Sequence, residues 1–245
     1  MNHLVRATLF ALLLPLSCHA AVPTAQVEEA ALPPLQALIS YVTLEVSPDG
    51  ITQQHSYKER WIRDGDMLWS ERLIPLPVAR AFHLQHDTAK IPHKHFMYQM
   101  AARWVARQPD GSLELNYADA YHQNLVHYPP IEYSQAGFIA DWPHLSRLVS
   151  PATLALMQPE TAQPDAQSLP EVARDARWYH LEQDNQILRV LWSQDLQLAL
   201  AVERHSRDGY KQYRMNVTLK PGLPTPRPWQ QLAEYNNKEI SDFFD

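Results

Sequence analysis

The sequence predicts an α+β protein built on one antiparallel, strongly twisted sheet with helices packed on one face. Three observations lead there. Four of the six glycines follow Asp, at Asp49-Gly50, Asp64-Gly65, Asp110-Gly111 and Asp208-Gly209, and an Asp-Gly pair supplies the positive φ that a tight hairpin turn needs. The stretches beside these pairs are rich in Val, Ile, Tyr, Trp and Thr, residues that suit a pleated surface. Helical patterning is concentrated mid-chain, whereas a parallel βαβ design needs a helix after nearly every strand.

Taken in order, residues 25–38 allow a helix, broken by Pro33-Pro34. A first block of strands runs from about Leu38 to Asp119. In Ser40–Ser47, Val42, Leu44 and Val46 share one side and Tyr41, Thr43 and Glu45 the other. Strands Ile51–Arg63 and Met67–Ile74 flank Asp64-Gly65. Strands Ala101–Arg107 and Ser112–Ala118 flank Gln108-Pro109-Asp110-Gly111. Asp141 to about Gln158 is helical, because Trp142, Leu145, Leu148 and Val149 recur at 3–4 spacing. A second short helix starts at Ser150-Pro151, with Ser150 as N-cap. Pro159–Pro170 reads as a polar surface loop.

The second block of strands spans Arg177–Lys220. Trp178–Gln183 pairs with Gln186–Trp192 around Asp184-Asn185, and Leu196–His205 pairs with Tyr210–Lys220. In the last strand Tyr213, Met215, Val217 and Leu219 face one side and Gln212, Arg214, Asn216 and Thr218 the other, the cleanest alternation in the chain. After Pro221–Pro228, the tail Trp229–Phe244 reads as a short amphipathic helix.

The chain has 245 residues, 21 Lys+Arg and 27 Asp+Glu, a formal charge of −6. That balance gives no general field to draw nucleic acid or an anionic bilayer. Apolar residues at 45% and aromatic residues at 10% supply a real core and exclude disorder throughout.

The N-terminus reads as an export signal, residues 1–20, leaving residues 21–245 as a single globular domain in the periplasm. Arg6 precedes an apolar run, Ala7–Leu16, and Cys18 and Ala20 are small residues at −3 and −1 of a cut after Ala20. The run is too short to span a bilayer, and no later stretch reaches the ~18 apolar residues of a membrane span. The alternative is a lipoprotein anchored at Cys18, although of Pro15, Leu16 and Ser17 only Ser17 suits that signal. Cleavage after Ala20 removes the only cysteine. Disulfides, thiolate catalysis and Cys-ligated metal centres are then excluded.

The stretches Glu59-Arg60-Trp61-Ile62-Arg63-Asp64-Gly65-Asp66 and Leu191-Trp192-Ser193-Gln194-Asp195-Leu196-Gln197-Leu198-Ala199-Leu200-Ala201-Val202-Glu203, the latter followed by Asp208-Gly209, carry a family likeness. With the export signal, the mid-chain helix pair and the closing hairpin, the chain resembles the periplasmic lipoprotein-carrier (LolA-type) superfamily over about residues 36–220. The resemblance implies a strongly curved sheet, an open half-barrel, with a helical lid over an apolar concave face. The His-rich middle of this chain has no counterpart in that pattern.

Seven histidines lie between His83 and His144. His93, His95 and Met97 form the tightest group. On a strand they share one face, and imidazole with thioether suits copper in an exported protein. His83 and His86, three apart, can share a helical face. Asp87, Asp119, Glu132 and Asp141 fall among the histidines and could pair with them, yet no nucleophile motif accompanies them and no catalytic residue is assigned. The glycines are spent in turns, which excludes a Gly-rich nucleotide loop. Trp61, Trp69, Trp104, Trp142, Trp178, Trp192 and Trp229 can fill a sheet core or line an apolar pocket. The leading expectation is an exported, non-enzymatic protein that binds an apolar ligand, a lipid or an acylated protein, with ligand-binding residues unassigned. The alternative is a His/Met copper-binding accessory protein. A third reading is docking of an exported partner protein at a sheet edge.

Overall fold

The computed structural model describes residues 31–87 and 96–244. Its first strands form a meander, β1 (Leu35–Val46), β2 (Thr52–Asp64), β3 (Met67–Arg72), β4 (Ala102–Arg107), β5 (Leu113–Asp119) and β6 (Asn124–Tyr128). A second meander follows: β7 (Gln158–Pro159), β8 (Arg177–Gln183), β9 (Gln186–Ser193), β10 (Leu198–Ser206) and β11 (Lys211–Lys220). The tail adds β12 (Asn236–Glu239). Pairing of β1 with β11, in the register Ala37↔Leu219 and Tyr41↔Met215, joins the two meanders into one sheet. The strand order is β12-β6-β5-β4-β3-β2-β1-β11-β10-β9-β8-β7, open at both ends.

All four Asp-Gly turns connect antiparallel neighbours, β1–β2, β2–β3, β4–β5 and β10–β11. Each glycine has positive φ, 58° at Gly65 for example, where a β-carbon would be strained. Asp184 and Asn185 take φ of 50° and 60° between β8 and β9, the conformation of a two-residue hairpin turn.

Cross-strand register sorts the side chains onto two faces. Trp61, Ile39, Met215, Val105, Leu115, Val126 and Val190 belong to a continuous buried cluster on the inner face. Onto it pack α2 (Trp142–Arg147) and α3 (Pro151–Leu156). Asp141 caps α2 by accepting from the His144 N–H at 3.0 Å, and Ser150 caps α3 by accepting from the Thr153 N–H at 3.0 Å. The predicted cap and helix break at Ser150-Pro151 are therefore present.

Several elements differ from expectation. The sheet is mixed, because β12 runs parallel to β6 with Asn236 opposite Asn124. The tail is no continuous helix: it makes a 3-10 turn over Pro228–Glu234, then β12, then a 3-10 turn over Ile240–Phe243. Residues with free backbone groups at the β6 edge capture it, starting with the Asn236 N–H donating to the Gln123 carbonyl at 2.8 Å. β1 begins at Leu35, inside the segment 25–38 that allowed a helix broken at Pro33-Pro34. Its core face carries Ala37 and Ile39, both buried, and Tyr41; Val42 and Leu44 point to the opposite face. Helical segments occupy both faces rather than one. The turn at Pro228–Glu234 buries Leu232 against Ile62, Trp69, Ala102 and Ala118 on the outer face. The helix α1 (Leu76–Asp87), which contains His83 and His86, brings Leu76 and Ala79 to the same side as Trp69.

Candidate functional site

Between the inner face of the sheet and the segment Gly137–Thr153 lies a cavity of about 560 Å³. That size falls within the range of small-ligand pockets. Its floor is built by alternate residues of neighbouring strands, Trp61 from β2, Met215 from β11, Val202 from β10 and Leu188 from β9. Its roof is Phe138, Leu145, Leu148 and Val149. Leu148, which ends α2, has φ 62° and ψ 9°, a left-handed conformation that costs a leucine about 1 kcal/mol.

The roof is tied down at several points. The Tyr133 hydroxyl donates to the Leu113 carbonyl at 2.5 Å, which anchors the chain entering the roof. The Arg107 guanidinium lies 5.1 Å from the Trp142 ring centre. The strongest tie is Arg63, which is fully buried. Period-2 alternation along β2 places it on the same face as Trp61. It donates to four carbonyls: Pro33 at 3.0 Å, Ser146 of α2 at 2.6 Å, Leu196 at 2.7 Å and Gln197 at 3.1 Å. Burial pulls its pKa down to about 10, with the nearby Arg147 charge adding to the effect. One side chain thus joins the segment before β1, the roof helix and the β9–β10 turn.

The cavity is amphipathic along the strand direction. Toward the Asp64-Gly65 hairpin the inner face carries Trp61, Leu68 and Val105. Toward the Asp49-Gly50 and Asp208-Gly209 hairpins it carries Tyr41, Tyr57, Tyr213 and Arg204. Tyr41 stacks on Tyr57 with ring centres 4.6 Å apart, and Tyr213 lies 6.5 Å from Tyr41. The Arg72 and Arg204 guanidinium groups sit over Tyr57 and Tyr213 at 4.0 and 5.4 Å. Burial raises the pKa of Tyr41 far above the phenol range and pushes that of Tyr213 up to about 12, so these phenols stay neutral donors at physiological pH.

The sequence marked other residues. His93 and His95 lie outside the described residues. Met97 lines a separate cavity of about 570 Å³ on the outer face, together with Met100, Trp69, His122 and Tyr235. Among the described residues no group of three or more His, Cys, Asp or Glu side chains could hold a metal. Of the four carboxylates noted among the histidines, Asp119 does meet one: its Oδ2 lies 2.7 Å from Nδ1 of His122. The same carboxylate accepts from the Tyr121 and His122 backbone N–H groups, which makes the pair a turn cap. The seven tryptophans divide. Trp61 lines the inner cavity. Trp142 and Trp192 fill the inner core. Trp69, Trp104 and Trp229 pack on the outer face, and Trp178 lies under Arg189 at 4.5 Å. Arg103, Arg204, Tyr41 and Tyr213 carried no sequence signal beyond their place in the strand alternation, and Arg63 none beyond its place in the stretch Glu59–Asp66.

No known family pattern matches the sequence, and no curated protein matches it. Solved structures do show similarity. PNGF-II aligns at a TM-score of 0.35 and 11% identity, over 86% of this chain and 32% of that one. The complex of MucA and MucB from Pseudomonas aeruginosa aligns at 0.34 and 15% identity, over 80% of this chain and 55% of that one. A LolA superfamily protein from Nitrosomonas europaea aligns at 0.29 and 11% identity, over 79% of this chain and 90% of that one. The chain therefore spans about a third of PNGF-II and about half of the MucA/MucB chain it matches. A LolA superfamily protein is thus among the solved structures to which the chain is weakly similar.

Proposed function

We propose that this chain is an exported periplasmic binding protein without catalytic activity, and that its ligand is an acyl chain, free or attached to a protein, held between the sheet and the α2–α3 roof. The observation that carries this reading is the inner cavity itself, walled by Trp61, Met215 and Val202 below and Phe138, Leu145 and Leu148 above. Burying an acyl chain there is worth about 0.8 kcal/mol per methylene, so about ten methylenes would give micromolar binding or better before the cost of ordering the ligand.

Arg103 and Leu188 line the same cavity although they sit on β4 and β9, six strand spacings apart in the sheet order, and a sheet curled toward the roof as an open half-barrel belongs to this reading. Among the described residues no helix is long and apolar enough to cross a membrane. The export signal at residues 1–20 belongs to the same proposal, and intact mass of the exported protein tests it through an N-terminus at Ala21.

The test of the ligand is direct. The neutral dye N-phenyl-1-naphthylamine should bind the folded protein and be displaced by fatty acyl compounds. Met215→Asp, which puts a charge on the cavity floor, should weaken dye binding at least tenfold. Trp192 packs in the core and outside the cavity wall, so Trp192→Phe should leave dye binding unchanged. Absence of dye binding in well-folded protein would reject the carrier reading.

A further inference from the structure

The inner cavity carries charge as well as polar groups. Arg103 and Arg204 both line it. Arg103 stands opposite Ser70 and Tyr117 in the register of β3, β4 and β5. Arg204 stands opposite Tyr213 and Leu188. The cavity wall holds one carboxylate, Glu59, which stands opposite Arg72 in the register of β2 and β3 and whose charge adds to burial in raising the pKa of Tyr41 and Tyr213. Among the described residues no carboxylate lies within ion-pair distance of Arg103 or Arg204. Elsewhere several arginines meet carboxylates, Arg189 with Glu160 and Glu203, Arg227 with Asp64, Arg107 with Asp66. Two arginines left without a carboxylate on the wall of one cavity, among neutral phenols, form a cationic, hydrogen-bond-donating rim above an apolar interior.

We propose that the cavity takes an amphiphile with an anionic headgroup, a carboxylate or a phosphate, its acyl chain under Leu145 and Leu148 and its headgroup at Arg103 and Arg204. The proposal rests on the carrier reading above and adds the headgroup class to it. Planar guanidinium groups donate in pairs to carboxylate and phosphate oxygens. The Tyr41 and Tyr213 phenols would supply further donors, and Ser150 and Thr153 of the roof line the same space. An uncharged headgroup would leave both guanidinium groups without an anion, which is the physical basis of selection.

The experiment measures displacement of N-phenyl-1-naphthylamine from the full exported chain. One arm compares laurate with methyl laurate. A second compares lyso-phosphatidylglycerol with lyso-phosphatidylcholine of the same chain. The expected result is a preference of about tenfold for the anionic member, as one charge-assisted contact supplies. That preference should shrink as salt rises from 0.05 to 0.5 M. In the Arg103→Gln/Arg204→Gln double variant it should fall below twofold, each displacement being referred to the dye affinity measured for that protein. Preference in the first arm alone identifies a fatty acid, and in the second alone a phospholipid. Dye binding with no preference in either arm overturns the headgroup assignment and leaves the carrier reading standing. No dye binding at all overturns the carrier reading. If the double variant does not fold, the salt dependence in the wild-type protein decides: a salt-independent preference rejects the arginine rim.

Discussion

Replacing Arg63 with Met would test whether the roof is held by one buried cation. Methionine keeps the unbranched stem and removes the guanidinium. The carbonyls of Ser146 and Leu196 receive its two shortest bonds, at 2.6 and 2.7 Å, in buried surroundings. Losing a buried partner costs about 1–3 kcal/mol for each acceptor. The bonds to Pro33 and Gln197 are only part-buried, and water can replace much of them. Against this stands relief from desolvating a cation, a real penalty since burial holds its pKa near 10. The acceptor losses exceed that relief because the native charge is already solvated by four carbonyls, and we expect a net loss of about 2–4 kcal/mol. With an urea slope of about 2–3 kcal/mol per molar, the unfolding midpoint should fall by roughly 1 M. Hydrogen exchange should speed most at the amides of 141–150, where α2 loses its tether, and least in β4 and β5. A midpoint shift below about 0.3 M, or exchange that quickens equally everywhere, would refute the reasoning.

Three further outcomes follow from the same geometry. Tyr41, Tyr57, Tyr117, Tyr128 and Tyr213 all have raised pKa values, chiefly from burial; their contribution to stability is complete below the unfolded-chain pKa near 10 and is lost as pH climbs through the folded values. Urea midpoints should therefore fall from about pH 10 upward, and absorbance at 295 nm should show these phenols ionising with unfolding; a rise in stability would mean that the opposite linkage of Arg63, whose pKa is lowered, dominates. Deleting residues 236–244 bares the β6 edge and uncovers the site of Ile240, which is 5% exposed, so the truncated chain should lose about 2–4 kcal/mol and self-associate by light scattering; unchanged behaviour would show the tail to be dispensable. If His93, His95 and Met97 bind copper, one equivalent should bind tightly, weaken as pH falls through ~6.5, and disappear in the His93→Ala/His95→Ala variant but not in His55→Ala/His205→Ala.

What the sequence discloses depends on whether a signal is local. The hairpins at Asp49-Gly50 and Asp208-Gly209 are written in two adjacent residues, and so are the cap and break at Ser150-Pro151. The β5–β6 turn uses Gln123 at φ 53° with Asp119 capping by its side chain, a device with no glycine to advertise it. Pairing of β12 with β6 joins Asn236 to Asn124, and nothing near either residue announces the other. The face of β1 was ambiguous because both sides are apolar: Ala37, Ile39 and Tyr41 on one, Val42, Leu44 and Val46 on the other. At the cavity the alternation of Tyr213 and Met215 was legible. Arg63 was not, since all four of its partners are backbone carbonyls, which every residue carries. Met97 lies on the outer-face cavity, a placement its sequence neighbours did not announce, because sequence proximity does not assign a residue to one face or the other.

The zipper between β1 and β11 sets an order of events for the newborn chain. Each meander closes through neighbours in sequence, so its hairpins can form as soon as they are free. The central seam pairs Gln36 with Lys220 and Glu45 with Lys211, residues separated by most of the polypeptide. Closing a loop that long is slow relative to the local turns. Until Lys220 arrives, β1 presents an unpaired margin carrying Leu38, Val42 and Leu44, a surface open to wrong partners. The cavity floor straddles this seam, with Trp61 and Tyr41 on one side and Met215 and Val202 on the other. Neither half alone encloses the cavity, which is complete only with the last strand of the second meander.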